Sequence, residues 1–304
     1  GGLNNLACGL SSFVGGGALN NAGGCYGAIA GGVGNEVGAT NAFIGAGLCN
    51  CSGTTDIGPN TGIVAGHCNY AYGACSFIGS GAQNEVHVDL GIVVGGCDNC
   101  VGGNCGFIGG GCGNQVCKDS VIVAGISNTA SGTCSFVGGG QSNTASGNNS
   151  VIVGGSTATV SGVCAVVVGG YGNQSCAAHA GVMTGINNRA CGACSAVGGG
   201  ELNCTVCGYT FIGGGCGNSL SGAYATIAGG SGNRICGNYG FIGAGSNNSL
   251  SAAHTCSAII GTGIASVSAN MLHTFSLFLS NIPTTDPGTH GVVWRDGTDL
   301  KISI

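Results

Sequence analysis

The chain repeats itself about every fifteen residues from Ser12 to His254. Sixteen blocks align with one another, and they begin at residues 12, 27, 42, 61, 76, 91, 106, 120, 135, 150, 165, 180, 195, 210, 225 and 240. Fourteen blocks contain fifteen residues, the block at Ala42 contains nineteen, and the block at Gly106 contains fourteen. Internal repetition of this kind predicts a solenoid in which each repeat stacks on its neighbours.

Three positions of the block are nearly constant. The third is Val or Ile in all sixteen blocks, as in Ile152, which is typical of the inside of a narrow β coil. The sixth is always Gly, from Gly17 to Gly245, which predicts a corner with positive φ or a very close chain approach. The ninth is Asn in fifteen blocks, and Ala158 replaces it in the remaining one.

These constants predict an all-β fold, a parallel β-solenoid of about sixteen coils. A fifteen-residue unit is too short for a pair of helices and fits one coil with two short strands and two turns. Neighbouring coils would lie about 4.8 Å apart, so the rod would be about 77 Å long. Ninth-position amides would then lie above one another, and we expect a structural hydrogen-bond ladder along the stack. The predicted ladder consists of Asn20, Asn35, Asn50, Asn69, Asn84, Asn99, Asn114, Asn128, Asn143, Asn173, Asn188, Asn203, Asn218, Asn233 and Asn248.

The second and fourth positions, on the strand face opposite the constant Val or Ile, are also apolar or small, so both strand faces are predicted to be buried. Every Phe at position two has Gly at position four. Where position two is smaller, position four is often larger, as in Gly181 with Met183. The first five of these Phe residues occur in every second block. The summed side-chain volume of positions two and four is therefore roughly constant along the chain. We infer that this face packs against copies of itself around an axis. The predicted axial residues are Phe13, Phe43, Phe77, Phe107, Phe136, Phe211 and Phe241.

The block pattern of Ser135 to Gly147, S-[FV]-[IV]-x-G-G-x-x-N-x-A-S-G, resembles the head repeats of trimeric autotransporter adhesins of the YadA type. Such repeats also occur in tail and surface fibres of phages and large DNA viruses. The resemblance covers residues 1 to about 254, and it implies a left-handed parallel β-roll, a homotrimer and an adhesive or fibre role. This chain departs from the family in its slightly longer unit and abundant Cys. It also lacks a following anchor barrel or stalk coiled coil, which argues against a complete bacterial autotransporter.

Two domains are predicted. Residues 1–254 form the β-roll, with residues 1–11 as a partial repeat, and residues 255–304 form a C-terminal cap or tip. The chain begins with Gly1, in the middle of a repeat and without a visible signal peptide, so we expect a fragment or a processed piece.

The C-terminal segment predicts a strand from His273 to Leu279, a loop containing Pro283 and Pro287, and a hairpin at Asp296-Gly297. Its ending resembles the terminal segments of phage and viral fibres, in which IPT-DPG is followed by W-D-G-LKIS. We expect this segment to cover the open edge of the roll, and a receptor-binding tip is the alternative.

The 21 Cys residues follow the block geometry, since many recur at position twelve or fifteen. We expect most to be free thiols that fill small slots, with disulfides within or between neighbouring coils as the alternative, for example Cys97 with Cys112. The odd total leaves at least one Cys without an intrachain partner. A zinc-like C-x2-C-x9-C-x2-C spacing is formed by Cys191, Cys194, Cys204 and Cys207, but these positions need not converge on a coil, so no metal site is predicted.

Charge and composition exclude several functions. The net charge of −5, without any Lys or Arg cluster, predicts no binding to nucleic acid or to an anionic membrane. The apolar runs are far shorter than a membrane helix of about 20 residues, so no membrane insertion is expected. The six His share no common position and the ten acids are dispersed, so we expect neither an enzyme nor a cofactor. Thr is too sparse for an ice-binding face, and the Gly strings lack the strand-turn-helix context of a phosphate loop.

We therefore expect an extracellular structural and adhesive fibre protein on a virion surface. Its partners would be copies of itself in a homotrimer and an unknown host-surface receptor or glycan. A head fragment of a bacterial cell-surface adhesin is the alternative, and a glycan-cleaving tailspike would require paired carboxylates that the sequence does not show. Recognition is expected where the repeat is interrupted, at Thr54, Asp56, Pro59, Asn60, Pro283, Asp286 and His290.

Overall fold

The structure, a computed structural model, describes residues 1–53, 58–274, 293–296 and 299–302. Its described residues are all-β and contain no helix. Parallel strands of two or three residues stack coil upon coil, which confirms the predicted β-solenoid.

Each regular coil contributes one strand to each of two parallel sheets. The front sheet consists of the strands at block positions two and three. It contains eighteen strands: Phe13–Val14, Ala28–Ile29, Phe43–Ile44, Gly62–Ile63, Phe77–Ile78, Ile92–Val93, Phe107–Ile108, Val121–Ile122, Phe136–Val137, Val151–Ile152, Val166–Val167, Gly181–Val182, Ala196–Val197, Phe211–Ile212, Thr226–Ile227, Phe241–Ile242, Ala258–Ile260 and Leu272–Thr274. It therefore extends over roughly 80 Å at the usual strand spacing.

The back sheet consists of the strands at positions ten and eleven. Its seventeen strands are Leu6–Ala7, Asn21–Ala22, Glu36–Val37, Cys51–Ser52, Tyr70–Ala71, Glu85–Val86, Cys100–Val101, Gln115–Val116, Thr129–Ala130, Thr144–Ala145, Thr159–Val160, Gln174–Ser175, Arg189–Ala190, Cys204–Thr205, Ser219–Leu220, Arg234–Ile235 and Ser249–Leu250.

Within the sixteen blocks, each strand pairs with the strand at the same block position of the neighbouring coil. Within the regular repeat, Phe136 pairs with Val151, fifteen residues later. The register also survives the two irregular blocks, since Cys51 pairs with Tyr70 and Gln115 pairs with Thr129. Length changes are therefore absorbed at the corners between strands.

Position seven forms a third line of pairing that the sequence analysis did not predict. Single parallel bridges run along it from Leu3 with Ala18 to Ser231 with Ser246. Residues as different as Gln141 and Tyr171 take part, so this side of the coil has no constant residue that would reveal it in the sequence.

The core is a narrow column between the two sheets. It is filled by the constant Val or Ile of position three and by the small or aliphatic residue of position eleven, as in Ile152 and Val160, both of which are fully buried. Burial of an aliphatic side chain of this size contributes about 1.5–3 kcal/mol.

The position-six glycines form one corner of each coil, with φ between 88° and 119°. At Gly140, a Cβ atom would clash with the backbone carbonyl oxygen of Gly155 in the next coil. Both a left-handed backbone and a close chain approach therefore require glycine, as the sequence predicted.

The position-nine asparagines form the predicted ladder inside the stack. The side-chain Oδ1 of Asn188 accepts hydrogen bonds from the backbone N–H and the Nδ2 of Asn203, at 3.0 and 3.1 Å. Its Nδ2 donates to the carbonyl oxygens of Thr184 in the same coil and Gly200 in the next, at 3.1 and 2.8 Å. The fifteen ladder asparagines are at most 1% exposed, so wherever two of them are adjacent the side-chain Oδ1 of the first provides the acceptor for a buried backbone N–H of the second.

Ala158 interrupts the ladder. Its backbone N–H donates to Oδ1 of Asn143 at 2.9 Å, so the preceding step is intact. It has no side-chain oxygen to offer to the N–H of Asn173 in the following coil.

Parallel stacking continues beyond residue 254. Ala258–Ile260 pairs with Phe241–Ile242, and Leu272–Thr274 then pairs with Ala258–Ile260. The front sheet therefore gives about eighteen turns rather than sixteen. These last two steps along the chain take 17 and 14 residues, which is why the fifteen-residue alignment lapses although the strand register persists.

Near the C-terminus, Val293–Asp296 and Asp299–Ile302 form an antiparallel pair that flanks the Asp296-Gly297 hairpin signal. The predicted strand from His273 to Leu279 is described only at Leu272–Thr274, and its remainder lies outside the described residues.

Replacement of Asn188 by Ala should destabilise the solenoid. It would leave the buried N–H of Asn203 without its acceptor, which costs about 1–3 kcal/mol, and would remove the amide donor to the carbonyl oxygens of Thr184 and Gly200. Thermal unfolding followed by circular dichroism should show a clearly lower midpoint. Arg189→Ala, an exposed change on the same coil, is the control and should leave the midpoint almost unchanged. Equal midpoints for both variants would contradict the role of the ladder.

The reverse change, Ala158→Asn, should stabilise the protein. The new amide would supply an acceptor for Asn173 N–H and donors for the carbonyl groups of Gly154 and Gly170, which occupy the places of the partners of Asn188. A hydrogen bond of this kind contributes about 1 kcal/mol, so the unfolding midpoint should rise. Ala145→Asn places the same amide in the apolar core and should lower it. A lower midpoint for Ala158→Asn would show that the ladder position does not select asparagine.

Candidate functional site

The seven predicted axial Phe residues lie on the outer face of the front sheet. Five of them are 39–58% exposed, and Phe107 and Phe136 are half-buried. Their packing against a second chain remains a prediction. A single chain places them at its surface in one vertical column, as that packing requires.

The rest of this outer face is also apolar. Among positions two and four of the sixteen blocks, Thr226 is the one polar residue, and no position carries a charge. The valines beside the Phe column, Val64, Val94, Val123 and Val153, are 45–51% exposed. By contrast, the outer face of the back sheet carries Glu36, Glu85, Arg189 and Arg234. The two outer faces therefore differ sharply in polarity.

The Phe at position two lies beside the Gly at position four of its own coil. A Cβ atom on Gly138 would lie 3.4 Å from Cε1 of Phe136, and it would also clash with the carbonyl oxygen of Val153 in the next coil. The ring thus lies over its own glycine. The backbone clash does not depend on the ring, because Gly198, with Ala196 at position two, has the same close approach to a carbonyl oxygen of the next coil. The case for axial packing therefore depends chiefly on the exposed apolar face.

The nineteen-residue block keeps the regular positions up to Gly53 and again from Gly58, and residues 54–57 lie outside the described residues. Pro59 and Asn60 form the next turn, where Asn60 takes the left-handed conformation of the position-fifteen corner, with φ of 61°. Its Oδ1 accepts a hydrogen bond of 3.2 Å from Nδ2 of Asn41 in the preceding coil. The four extra residues are therefore residues 54–57. Among the predicted contact residues, Thr54, Asp56, Pro283, Asp286 and His290 lie outside the described residues.

The fourteen-residue block also lies beside a surface feature, which the sequence analysis did not single out. A groove of about 360 Å³ lies at the corner where this block is one residue short. It is lined by Gly102, Gly103, Asn104, Cys117, Lys118, Asp119 and Thr133.

Potential metal ligands lie together on two coils, those that begin at residues 76 and 91. On the outer face of the back sheet, the ligand atoms of Glu85, His87 and Cys100 all lie within 4.8 Å of one another. Burial, and then the charge of Glu85, raise the pKa of the Cys100 thiol. The set was not predicted from the sequence because its combination of Glu at position ten, His at position twelve and Cys at position ten of the next block does not recur in other blocks.

A second set consists of Cys97 and Cys112, on the line of single bridges, and the adjacent Asp98; their ligand atoms also lie within 4.8 Å of one another. Cys97 and Cys112 occupy the same position of adjacent coils, as predicted, and both are free thiols. The hydrogen bond between the two thiols raises the pKa of Cys97.

One disulfide is present in the described residues. It joins Cys176 to Cys191, position twelve of adjacent coils, and nineteen other Cys residues are free. Both predicted states of Cys therefore occur. Cys191 belongs to the zinc-like spacing with Cys194, Cys204 and Cys207, but its bond is to a Cys outside that motif.

Three tyrosines form a stack at the position-fifteen corner. The ring centroids of Tyr209 and Tyr224 are 4.9 Å apart, those of Tyr224 and Tyr239 are 5.1 Å apart, and the rings are nearly parallel. All three side chains are more than half exposed. The stack follows directly from the register, which places equal block positions above one another.

The described part of the chain holds no apolar helix of membrane-spanning length. A scan against protein-family models found no match, and a search of curated proteins found no significant match.

Proposed function

We propose that this chain is a rigid structural segment of a homotrimeric fibre that projects from a virion and attaches it to a host surface. The observation that carries the proposal is the uncharged, apolar outer face of the front sheet. This face extends along the sixteen blocks of the solenoid. An apolar surface of this extent marks an interaction site on a soluble protein.

Copies of the same chain are the best occupants of this face. The surface is repetitive, and only another solenoid with the same coil spacing offers matching levels along roughly 80 Å. Chains in register around an axis would bring a Phe level against a Phe level and a Val level against a Val level. The number three and the fibre role follow from the resemblance to trimeric adhesin and fibre repeats.

The contrast between the sheets supports the same arrangement. Glu36, Glu85, Arg189 and Arg234 would face solvent on the back sheet of each chain, while the uncharged front sheets would face the axis. Burial of the Phe rings would contribute roughly 1.5–3 kcal/mol for each ring that loses its contact with water.

Replacement of Phe136 by Asp should disrupt the trimer. A carboxylate in the apolar interface would lose its hydration without gaining a partner, so the mass in solution should fall toward the 28.9 kDa of one chain. Light scattering after size-exclusion chromatography measures this mass. Thr144→Asp, on the back sheet of the same coil, should remain a trimer. A folded Phe136→Asp variant with the mass of the wild type would exclude the axial arrangement.

Imaging of the native assembly tests the fibre role itself. An antibody against the purified chain, visualised by immunogold electron microscopy of native source material, should label fibres that project from virus particles. Labelling of a cell envelope instead would favour the bacterial adhesin, and labelling confined to the cell interior would contradict both surface roles.

A further inference from the structure

The back sheet brings a carboxylate, an imidazole and a thiol together on two adjacent coils. Glu85 and His87 are two residues apart on one strand and its continuation, so their side chains lie on the same face of the sheet. Parallel pairing aligns Glu85 with Cys100 on the next coil. All three side chains therefore project from the outer face of the back sheet and converge there.

The distances fit a single metal ion. Nε2 of His87 and Oε2 of Glu85 are 2.8 Å apart, and the ligand atoms of all three residues lie within 4.8 Å of one another. Metal–ligand bonds of about 2.0–2.3 Å in a tetrahedron require ligand atoms about 3.3–3.8 Å apart. Small side-chain rotations reach this geometry. They are open to Glu85 and His87, whose side chains are 44% and 45% exposed.

The backbone beneath these side chains is held in place. The N–H groups of Glu85, His87 and Cys100 donate to carbonyl oxygens of the following coil at 2.8, 3.0 and 2.9 Å. The imidazole also stacks on Tyr72, with ring centroids 5.8 Å apart and an interplanar angle of 16°. The ligand positions are thus set by the sheet before any ion binds.

The donor set selects the metal. Calcium and magnesium prefer sites made only of oxygen ligands, whereas zinc accepts imidazole nitrogen, carboxylate oxygen and thiolate sulfur together. Three protein ligands leave a fourth tetrahedral position for water or for an external ligand.

We propose that Glu85, His87 and Cys100 bind one Zn²⁺ on the outer face of the back sheet. The ion connects two neighbouring coils from outside, in addition to their backbone hydrogen bonds. It binds the folded chain alone, because the unfolded chain does not hold the three side chains together, and it therefore stabilises the fold.

The nearby set of Cys97, Asp98 and Cys112 is the internal competitor. Its two thiols occupy the same position of adjacent coils on the line of single bridges, an arrangement that also suits a disulfide, and they lie outside the back sheet. Variants of each set separate the two sites.

The test uses the full chain, kept reduced and freed of metal with a chelator, and titrated with zinc chloride under isothermal titration calorimetry. The His87→Gln and Cys100→Ser variants should each bind one zinc ion fewer per chain than the wild type. The Cys204→Ser variant is the matched control, because Cys204 is also half-buried at position ten of a back-sheet strand but has no histidine beside it. Its stoichiometry should equal that of the wild type.

Thermal unfolding with and without zinc chloride provides a second readout. Zinc should raise the midpoint of the wild type and of Cys204→Ser more than that of His87→Gln, and circular dichroism without metal should show all variants folded. Absence of zinc binding by the wild type, or an undiminished stoichiometry in His87→Gln, would overturn the proposal. Loss of the only bound zinc in Cys97→Ser, with His87→Gln unaffected, would assign the ion to the competitor instead.

Discussion

In-register parallel stacking is the constraint on which the rest of this structure depends. It places every side chain directly above the side chain at the same block position of the previous coil, at a spacing of about 4.8 Å. An amide at position nine can then hydrogen-bond to the amide above it, and an aliphatic residue at position three can pack on its own kind. The strand register is the same on both sides of residues 54–57 and across the short block at Gly106.

Stacking also brings the residues of one block position together in a continuous surface. Position two and position four become one uncharged apolar face along the front sheet, and position ten collects the charges of the back sheet. A continuous apolar face of this length is typical of a surface that is covered by another molecule. This asymmetry is the physical basis for the proposed trimeric fibre, in which function resides in length, rigidity and repeated contacts rather than in a catalytic centre.

The chemistry of the chain is concentrated where the repeat varies. Glu85, His87 and Cys100 replace the Thr and Ser that occupy comparable back-sheet positions at Thr144 and Ser146, and the short block beside them adds a groove. A single substitution in one coil touches only the coils next to it. Local sites can thus be introduced into a solenoid without disturbing the remainder of the stack.

The sequence by itself determined the fold class, the buried third position, the glycine corner and the asparagine ladder, because each is a local requirement that recurs at one fixed block position. It did not reveal the line of bridges at position seven, whose residues share no chemistry, or the turns beyond residue 254, whose spacing is no longer fifteen. The packing of Phe136 and Gly138 against a neighbouring chain stays a prediction, and within one chain the ring lies beside its own glycine. Only the tertiary structure decided which side chains of neighbouring coils converge, as those of Glu85, His87 and Cys100 do. The fifteen-residue register aligns Glu85 with Cys100, but it does not determine where the ends of the side chains lie.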